Sequence, residues 1–263
     1  MRPLILISND DGLDYPGLQT LVGIARELGE VVVVVPQYHQ SGKSNAITIL
    51  TPLRAFKVRE EAGLTVWQVD GTPTDCVKLA LDQLLDGRRP NLVLSGINHG
   101  YNAGISTIYS GTVGVVLEAV LRHIPAVAFS HGDIVRDVDF APCVPYIRHI
   151  ISQTLGHLDA LHDLCLNVNF PRQGGGVKGL KVTTTAMGHW EREYDHRVDP
   201  HGMDYYWLQG HYVSDDPDDA STDFYWLERG WASVTPIQVD QTVHHAISLV
   251  GEMLGAERLD GEE

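Results

Sequence analysis

Apolar positions along this chain alternate between two textures. Unbroken apolar runs at residues 4–7, 31–35, 66–69, 92–94 and 126–129 have the length and β-branched content of strands buried on both faces. Between them lie stretches of helical period. Residues 17–28 carry Leu18, Leu21, Val22, Ala25 and Leu28 on one stripe, residues 74–85 carry Cys76, Val77, Ala80, Leu81 and Leu84, and residues 112–121 are almost wholly apolar. Strands alternating with helices predict a mostly parallel sheet covered by helices on both faces. Residues 164–168 add a further strand. After Pro171 the texture changes, with three consecutive glycines, Gly174, Gly175 and Gly176, followed by Asp and Gly mixed with Trp190, Tyr194, Tyr205, Tyr206 and Trp207. This stretch reads as hairpins and long loops. It serves either as an interface, as an arm over a site, or as ordinary packing. A strand over 231–237 and a helix over 243–254 close the pattern.

Polar clusters follow the apolar runs, where an open parallel sheet binds its ligands. Asn9-Asp10-Asp11 follows the first run, Ser41-Gly42 the second, Gly71-Thr72-Pro73-Thr74-Asp75 the third, and Ser95-Gly96-Ile97-Asn98 the fourth. Two adjacent carboxylates at a strand end repel each other unless a cation or donors offset the charge, and hard oxygen ligands suit Mg²⁺ or Mn²⁺. Asp11-Gly12 alone equally describes a tight turn. Ser41 and Asn98 offer neutral oxygens to complete a cation's shell, although each also fits a turn or cap. Tyr109-Ser110-Gly111-Thr112 leads into the apolar helix, so Ser110, Gly111 and Thr112 sit at a helix N-terminus that either binds phosphate or is simply capped. His99 beside Asn98 is placed near this edge or in an exposed loop.

Spacing removes several other chemistries. Gly42-Lys43-Ser44 resembles the end of a P-loop, but Gln37 stands where the earlier glycine belongs, and residues 46–50 read as a strand where a helix is needed. Val93 replaces the first glycine of a nucleophile elbow around Ser95. Asn9 occupies the position of a phospho-aspartate nucleophile, so hydrolysis by activated water fits better than a covalent intermediate.

Composition narrows the partners. The formal net charge of -15, from 19 Lys and Arg against 34 Asp and Glu, argues against a nucleic acid duplex as ligand but allows a small phosphorylated one. No stretch is long enough to span a bilayer, and the N-terminal apolar run is too short for a signal peptide, so a cytoplasmic protein is expected. Cys76, Cys143 and Cys165 show neither CxxC spacing nor an even count and read as small buried hydrophobes.

Taken in order, Ser8-Asn9-Asp10-Asp11-Gly12 with Pro16-Gly17, Ser41-Gly42, Gly71-Thr72-Pro73-Thr74-Asp75-Cys76-Val77, Ser95-Gly96-Ile97-Asn98, Tyr109-Ser110-Gly111-Thr112-Val113, Asn167-Val168-Asn169, Thr222-Asp223 and Ser233-Val234-Thr235-Pro236 form a pattern over nearly the whole chain. It resembles the stationary-phase survival protein SurE family of metal-dependent nucleotidases. The resemblance implies a Rossmann-like α/β catalytic core over residues 1–170. It also implies an extension over 171–263, with a β-hairpin, a returning strand and a terminal helix, packed on the core and on a partner subunit in a homodimer or homotetramer. The implied activity is hydrolysis of nucleoside 5′- and 3′-monophosphates with one Mg²⁺ or Mn²⁺ per subunit. By position the metal ligands fall on Asp10, Asp11, Ser41 and Asn98, with Asp10, Asp11 and Asn98 carrying catalysis. Asn9, Asn45, Asn102, Ser110, Gly111 and Thr112 fall at the substrate phosphate.

Two segments depart from the family pattern. Gln37-Tyr38-His39-Gln40-Ser41-Gly42 stands where many members read Asp-x-Asn-x-Ser-Gly, and Ile105-Ser106-Thr107 stands where an acid often follows the glycine-rich loop. Both bear on base preference, on 5′ versus 3′ choice and on activity toward longer phosphate chains. Two rival readings use the same residues: a non-catalytic nucleotide-binding stress-response module, and a metal-independent serine hydrolase built on Ser95 or Ser110.

Overall fold

A computed structural model describes residues 2–172 and 174–256, so the last seven residues of the expected extension, 257–263, lie outside the described residues. Strand β1 (Leu4–Ser8) runs directly to the acid pair. Helix α1 (Pro16–Leu28), started by a proline that has no N–H to leave unpaired, returns across the sheet to β2 (Glu30–Pro36). An antiparallel pair, β3 (Ala55–Glu61) and β4 (Leu64–Val69), forms the adjoining edge. Then follow α2 (Pro73–Leu79), β5 (Leu92–His99), α3 (Gly111–Val120), β6 (Ala126–His131), α4 (Val144–Gly156) and β7 (Cys165–Phe170).

Beyond β7 the chain adds β8 (Leu180–Val182) and then a long ribbon. In the ribbon β9 (Gly188–Glu191) pairs with β12 (His211–Ser214), and β10 (Tyr194–Val198) pairs with β11 (Asp204–Leu208). Helix α5 (Asp223–Leu227), strand β13 (Ala232–Ile237) and helix α6 (Ile247–Leu254) complete it.

The central sheet has nine strands in the order β3-β4-β2-β1-β5-β6-β7-β13-β8. Pairing is parallel from β4 through β7 and again between β13 and β8; only β3 against β4 and β13 against β7 are antiparallel. Alternate residues of β1 face opposite layers: Ile5 and Ile7 pack with Leu18, Leu21 and Ile147 of α1 and α4, while Leu4 and Leu6 pack with Cys76, Val113 and Val116 of α2 and α3. This is the two-faced cover that the unbroken apolar runs predict. The chain proceeds from β1 to β2 on one side and reaches β5 on the other, so the strand order reverses at β1, the position at which such sheets bind ligands in a crevice.

Three local expectations are corrected. Residues 46–50 are not a strand. Their polar atoms bond to the start of α2 instead: Thr72 Oγ1 donates to Ala46 O, and Thr48 N and Oγ1 donate to Asp75, leaving Leu50 96% exposed. Residues 74–85 are not one regular helix, since α2 gives way to a π turn at Ala80–Leu84. Residues 243–254 begin as a 3₁₀ turn, His244–Ala246, before α6. All three cysteines are buried and unpaired. No helix among the described residues is long and apolar enough to cross a membrane.

Candidate active site

The crevice at the strand reversal collects its residues from four loops. Asn9 closes the turn after β1: its Nδ2 donates to Gly12 O at 2.9 Å and its Oδ1 accepts from Gly12 N at 3.1 Å. Asn9 thus shapes the loop that displays the next two residues. Asp10 and Asp11 are 4% and 5% exposed, and no lysine or arginine pairs with either among the described residues. Burial, and then the neighbouring Asp11 charge, push the Asp10 carboxyl up to about 6, against a smaller lowering by Thr112.

Helix α3 meets this pair end on. Thr112 Oγ1 donates to Asp10 Oδ1 at 2.5 Å, and Ser110 caps the helix by accepting from Val113 N. A Cβ at Gly111 would stand 3.0 Å from Asp10 Cβ, so any larger residue here would press on the acid pair. The first amides of α3 have no intrahelical acceptor and lie at the positive end of the helix dipole, beside Asp10.

Ser41 is linked to Asp11 through His39, and Asn98 precedes His99, which contacts Asp11 directly. Asn98 Nδ2 donates to Gly100 O at 2.8 Å, which reserves its Oδ1 for another partner. A register shift between Ser95 and Asn98 in β5 sets its direction. Ser41 Oγ lies 2.7 Å from His39 Nε2, and the other nitrogen of that ring, Nδ1, lies 3.4 Å from Asp11 Oδ1. His99 Nδ1 lies 3.1 Å from Asp11 Oδ2. The two rings are held by Tyr15, stacked on His39 at 5.7 Å and edge-on to His99 at 5.3 Å. His99 is therefore a buried partner of the acid pair, and the sequence marks it only by its place beside Asn98. For His39 the sequence carries one signal only, its place two residues before Ser41 in the segment that departs from the family pattern.

The remaining candidates frame the crevice. Gln40 N donates to Asp10 O, and Ser44 bonds to Tyr109 O and Ile108 O, which lays the loop after β2 against the start of α3. Asn45 Oδ1 reaches within 2.8 Å of where a Cβ on Gly114 would be. Asn102 is fixed from three sides: its N donates to Asn169 Oδ1, its Nδ2 to Ser130 Oγ, and its carbonyl accepts from Asn167 Nδ2. This gives Asn167-Val168-Asn169 a job, as the frame for the loop between Asn98 and Ser110.

Asp223 does similar work from the far end of the chain. Fully buried, it accepts from Gly104 N at 2.8 Å, Ala186 N at 3.1 Å and Phe224 N at 2.8 Å. Asp223→Asn turns one acceptor into a donor aimed at an N–H and is expected to cost about 2 kcal/mol. Thermal unfolding followed by circular dichroism should show a Tm lower by about 4–8 °C; an unchanged Tm would remove Asp223 from this clamp.

Among the described residues no three His, Cys, Asp or Glu side chains converge as a metal-binding group. A cation here would rest on two carboxylates, completed by Asn98 Oδ1, Ser41 Oγ and water. That donor set is hard oxygen throughout, and the buried, mutually repelling pair is the charge such an ion neutralises, so the residues fit Mg²⁺ or Mn²⁺.

Comparison with known proteins agrees with this architecture. A family model described as survival protein SurE matches residues 5–192. A protein of Flavobacterium psychrophilum named 5′-nucleotidase SurE is 44% identical over 250 residues, covering 94% of this chain and 95% of that protein. A protein of the same name from Vibrio cholerae is 38% identical over 258 residues, covering 98% and 99%. The crystal structure of the SurE protein from Aquifex aeolicus superposes with a TM-score of 0.81 at 32% identity, covering 96% of this chain and 100% of that one. With sequence pattern, strand order and crevice in agreement, the chain belongs to the survival protein SurE family.

Proposed function

We propose that this chain is a metal-dependent nucleotidase that hydrolyses nucleoside 5′- and 3′-monophosphates to nucleoside and inorganic phosphate. The observation that carries the reading is the buried Asp10–Asp11 pair set against the N-terminus of α3. The name 5′-nucleotidase carried by its relatives supports the substrate class. Asp10, Asp11, Asn98 and Ser41 would hold one divalent ion, which supplies Lewis-acid polarisation and a nucleophile at neutral pH. The amides of Gly111 and Thr112 bind the phosphoryl oxygens as negative charge gathers there. One of the two carboxylates takes the proton lost by the attacking water. Thr112, His39 and His99 keep the carboxylates in fixed orientations, so little reorganisation is needed when substrate enters. The test is phosphate release from a panel of 5′- and 3′-monophosphates with Mg²⁺, Mn²⁺ or EDTA. Metal-dependent release supports the reading; saturable nucleotide binding without release replaces it with the non-catalytic module.

Metal binding has its own readout. Below the ordinary Asp pKa of 3.8 the Asp10 carboxyl is protonated in folded and unfolded chains alike, and the stability this provides is lost as pH rises through the folded value of about 6. A divalent ion restores it by neutralising the pair. At a hundredfold excess over Kd the gain is about 2.7 kcal/mol, or about 5–10 °C in Tm. Differential scanning fluorimetry should show this rise with Mn²⁺ at neutral pH and see it shrink as pH falls below about 6, where protons compete for the same oxygens. A pH-independent shift would place the ion elsewhere.

We also propose a homodimer or homotetramer assembled through the segment after residue 170. Exposed apolar side chains support this, among them Tyr206, Trp207 and Leu208 on the ribbon and Leu249, Met253 and Leu254 on α6. Sedimentation of the full chain tests it, and a monomer at micromolar concentration would reject it.

A further inference from the structure

A second concavity adjoins the crevice. It has a volume of about 970 Å³ and lies beyond the carboxyl ends of β5, β6 and β7, walled on its outer side by the ribbon and α5. Its volume lies within the range of small-molecule pockets. Its charge runs against the rest of the chain. In a protein with 34 acidic and 19 basic side chains, this wall contributes Arg172, Lys178 and Arg229 against Glu228 alone. Among the described residues none of the three cations forms an ion pair with a carboxylate.

The lining is also aromatic. Tyr212 stacks on Phe224 with centroids 4.5 Å apart, Tyr101 meets Phe224 edge-on at 5.8 Å, and Trp190 meets Tyr212 at 6.2 Å. Two of the cations already lie over rings: Arg172 is 5.8 Å from the Tyr101 centroid and Arg229 is 3.6 Å from that of Tyr225. Lys178 donates to Arg229 O at 2.8 Å, which links the two sides of the wall. Ring faces beside unpaired cations recognise one chemistry well: a planar heterocycle bearing phosphate.

We propose that this cavity is a second nucleotide site, separate from the Asp10–Asp11 crevice, with the base against the aromatic cluster and the phosphates on Arg172, Lys178 and Arg229. A nucleoside monophosphate bound with its phosphate at the acid pair would send only a neutral nucleoside into this cavity and leave the cations unpaired. A nucleotide that carries its own phosphates into the cavity pairs them. The proposal does not depend on the catalytic reading, because the lining includes neither carboxylate of the acid pair.

The test is isothermal titration calorimetry of the full chain with ADP in EDTA, which suppresses metal-dependent binding at the acid pair. One ADP per chain is expected. Arg172→Ala combined with Arg229→Ala should weaken it at least about tenfold, Lys178→Glu should weaken it in the same direction, and Asp11→Ala should change it less than twofold. Adenosine and pyrophosphate, each carrying half of the recognised chemistry, should bind at least about tenfold more weakly than ADP. No heat with ADP, binding indifferent to the cation variants, or binding abolished by Asp11→Ala would overturn the proposal. Equal affinity for pyrophosphate would overturn the assignment of a nucleotide.

Discussion

Asp11→Ala is expected to lower phosphate release by at least about 1000-fold in kcat/KM, corresponding to about 4 kcal/mol of transition-state stabilisation, while leaving the fold intact. The asymmetry follows from where Asp11 sits. It lies at the mouth of the crevice, outside both apolar clusters, so its loss opens no hole in the core. What it removes is one of two carboxylates of the proposed ion site and the shared partner of His39 and His99. It also removes the like charge beside Asp10, which offsets the loss of the buried His99 contact, so without metal the variant should unfold near the temperature of the parent. Steady-state kinetics and a melting curve of the same sample separate the two effects. A folded variant that still releases phosphate would exclude the carboxylate pair from the chemistry.

Gly17→Ala should produce the opposite pattern, a loss of stability that carries the site with it. A Cβ on Gly17 would stand 2.1 Å from Ile97 O and 3.0 Å from Ile97 C, both backbone atoms of β5 that cannot swing aside. Relieving the overlap means lifting α1 from the sheet or flattening the irregular turn of β5 that aims Asn98. The expected cost is about 4 kcal/mol or more, a fall in Tm of about 8–16 °C, with Asn98 moved off its position. Urea unfolding with a lower midpoint and an unchanged m-value would show a loss of stability without a change in the surface exposed on unfolding. A variant as stable as the parent would mean that the helix has room to shift.

How far these features were legible in the sequence depended on range. The strands and the acid pair could be read because each is written in a few consecutive residues: Leu4 to Ile7 is apolar without a break, and a strand buried on both sides needs nothing else. The approach of Thr112 to Asp10 could be read because strand ends in a parallel sheet share one edge. Contacts that close across long separations left no local mark. Asp223 reaches Gly104 across 119 residues, and Asn169 reaches Asn102 across 67, so a motif such as Thr222-Asp223 stood in the chain without a role. Residues 46–50 misled for a related reason. Their alternation suits a strand, but Asp75 and Thr72 took up the polar groups a partner strand would have used. Likewise β3, mostly exposed and charged, has no apolar run and is a strand only through its pairing with β4.

The order of strands at the far edge has a consequence for how the chain is made. β8 precedes β13 by about fifty residues yet touches the sheet only through it, because β13 inserts antiparallel between β7 and β8. During synthesis, then, the growing chain carries an open β7 edge and a strand with no place to dock until residues 232–237 leave the ribosome. Gly104 also waits for Asp223 over the same interval. The acid pair is among the first parts of the molecule to be made, yet the loop that follows β5 is not clamped at both Asn102 and Gly104 until Asp223 arrives.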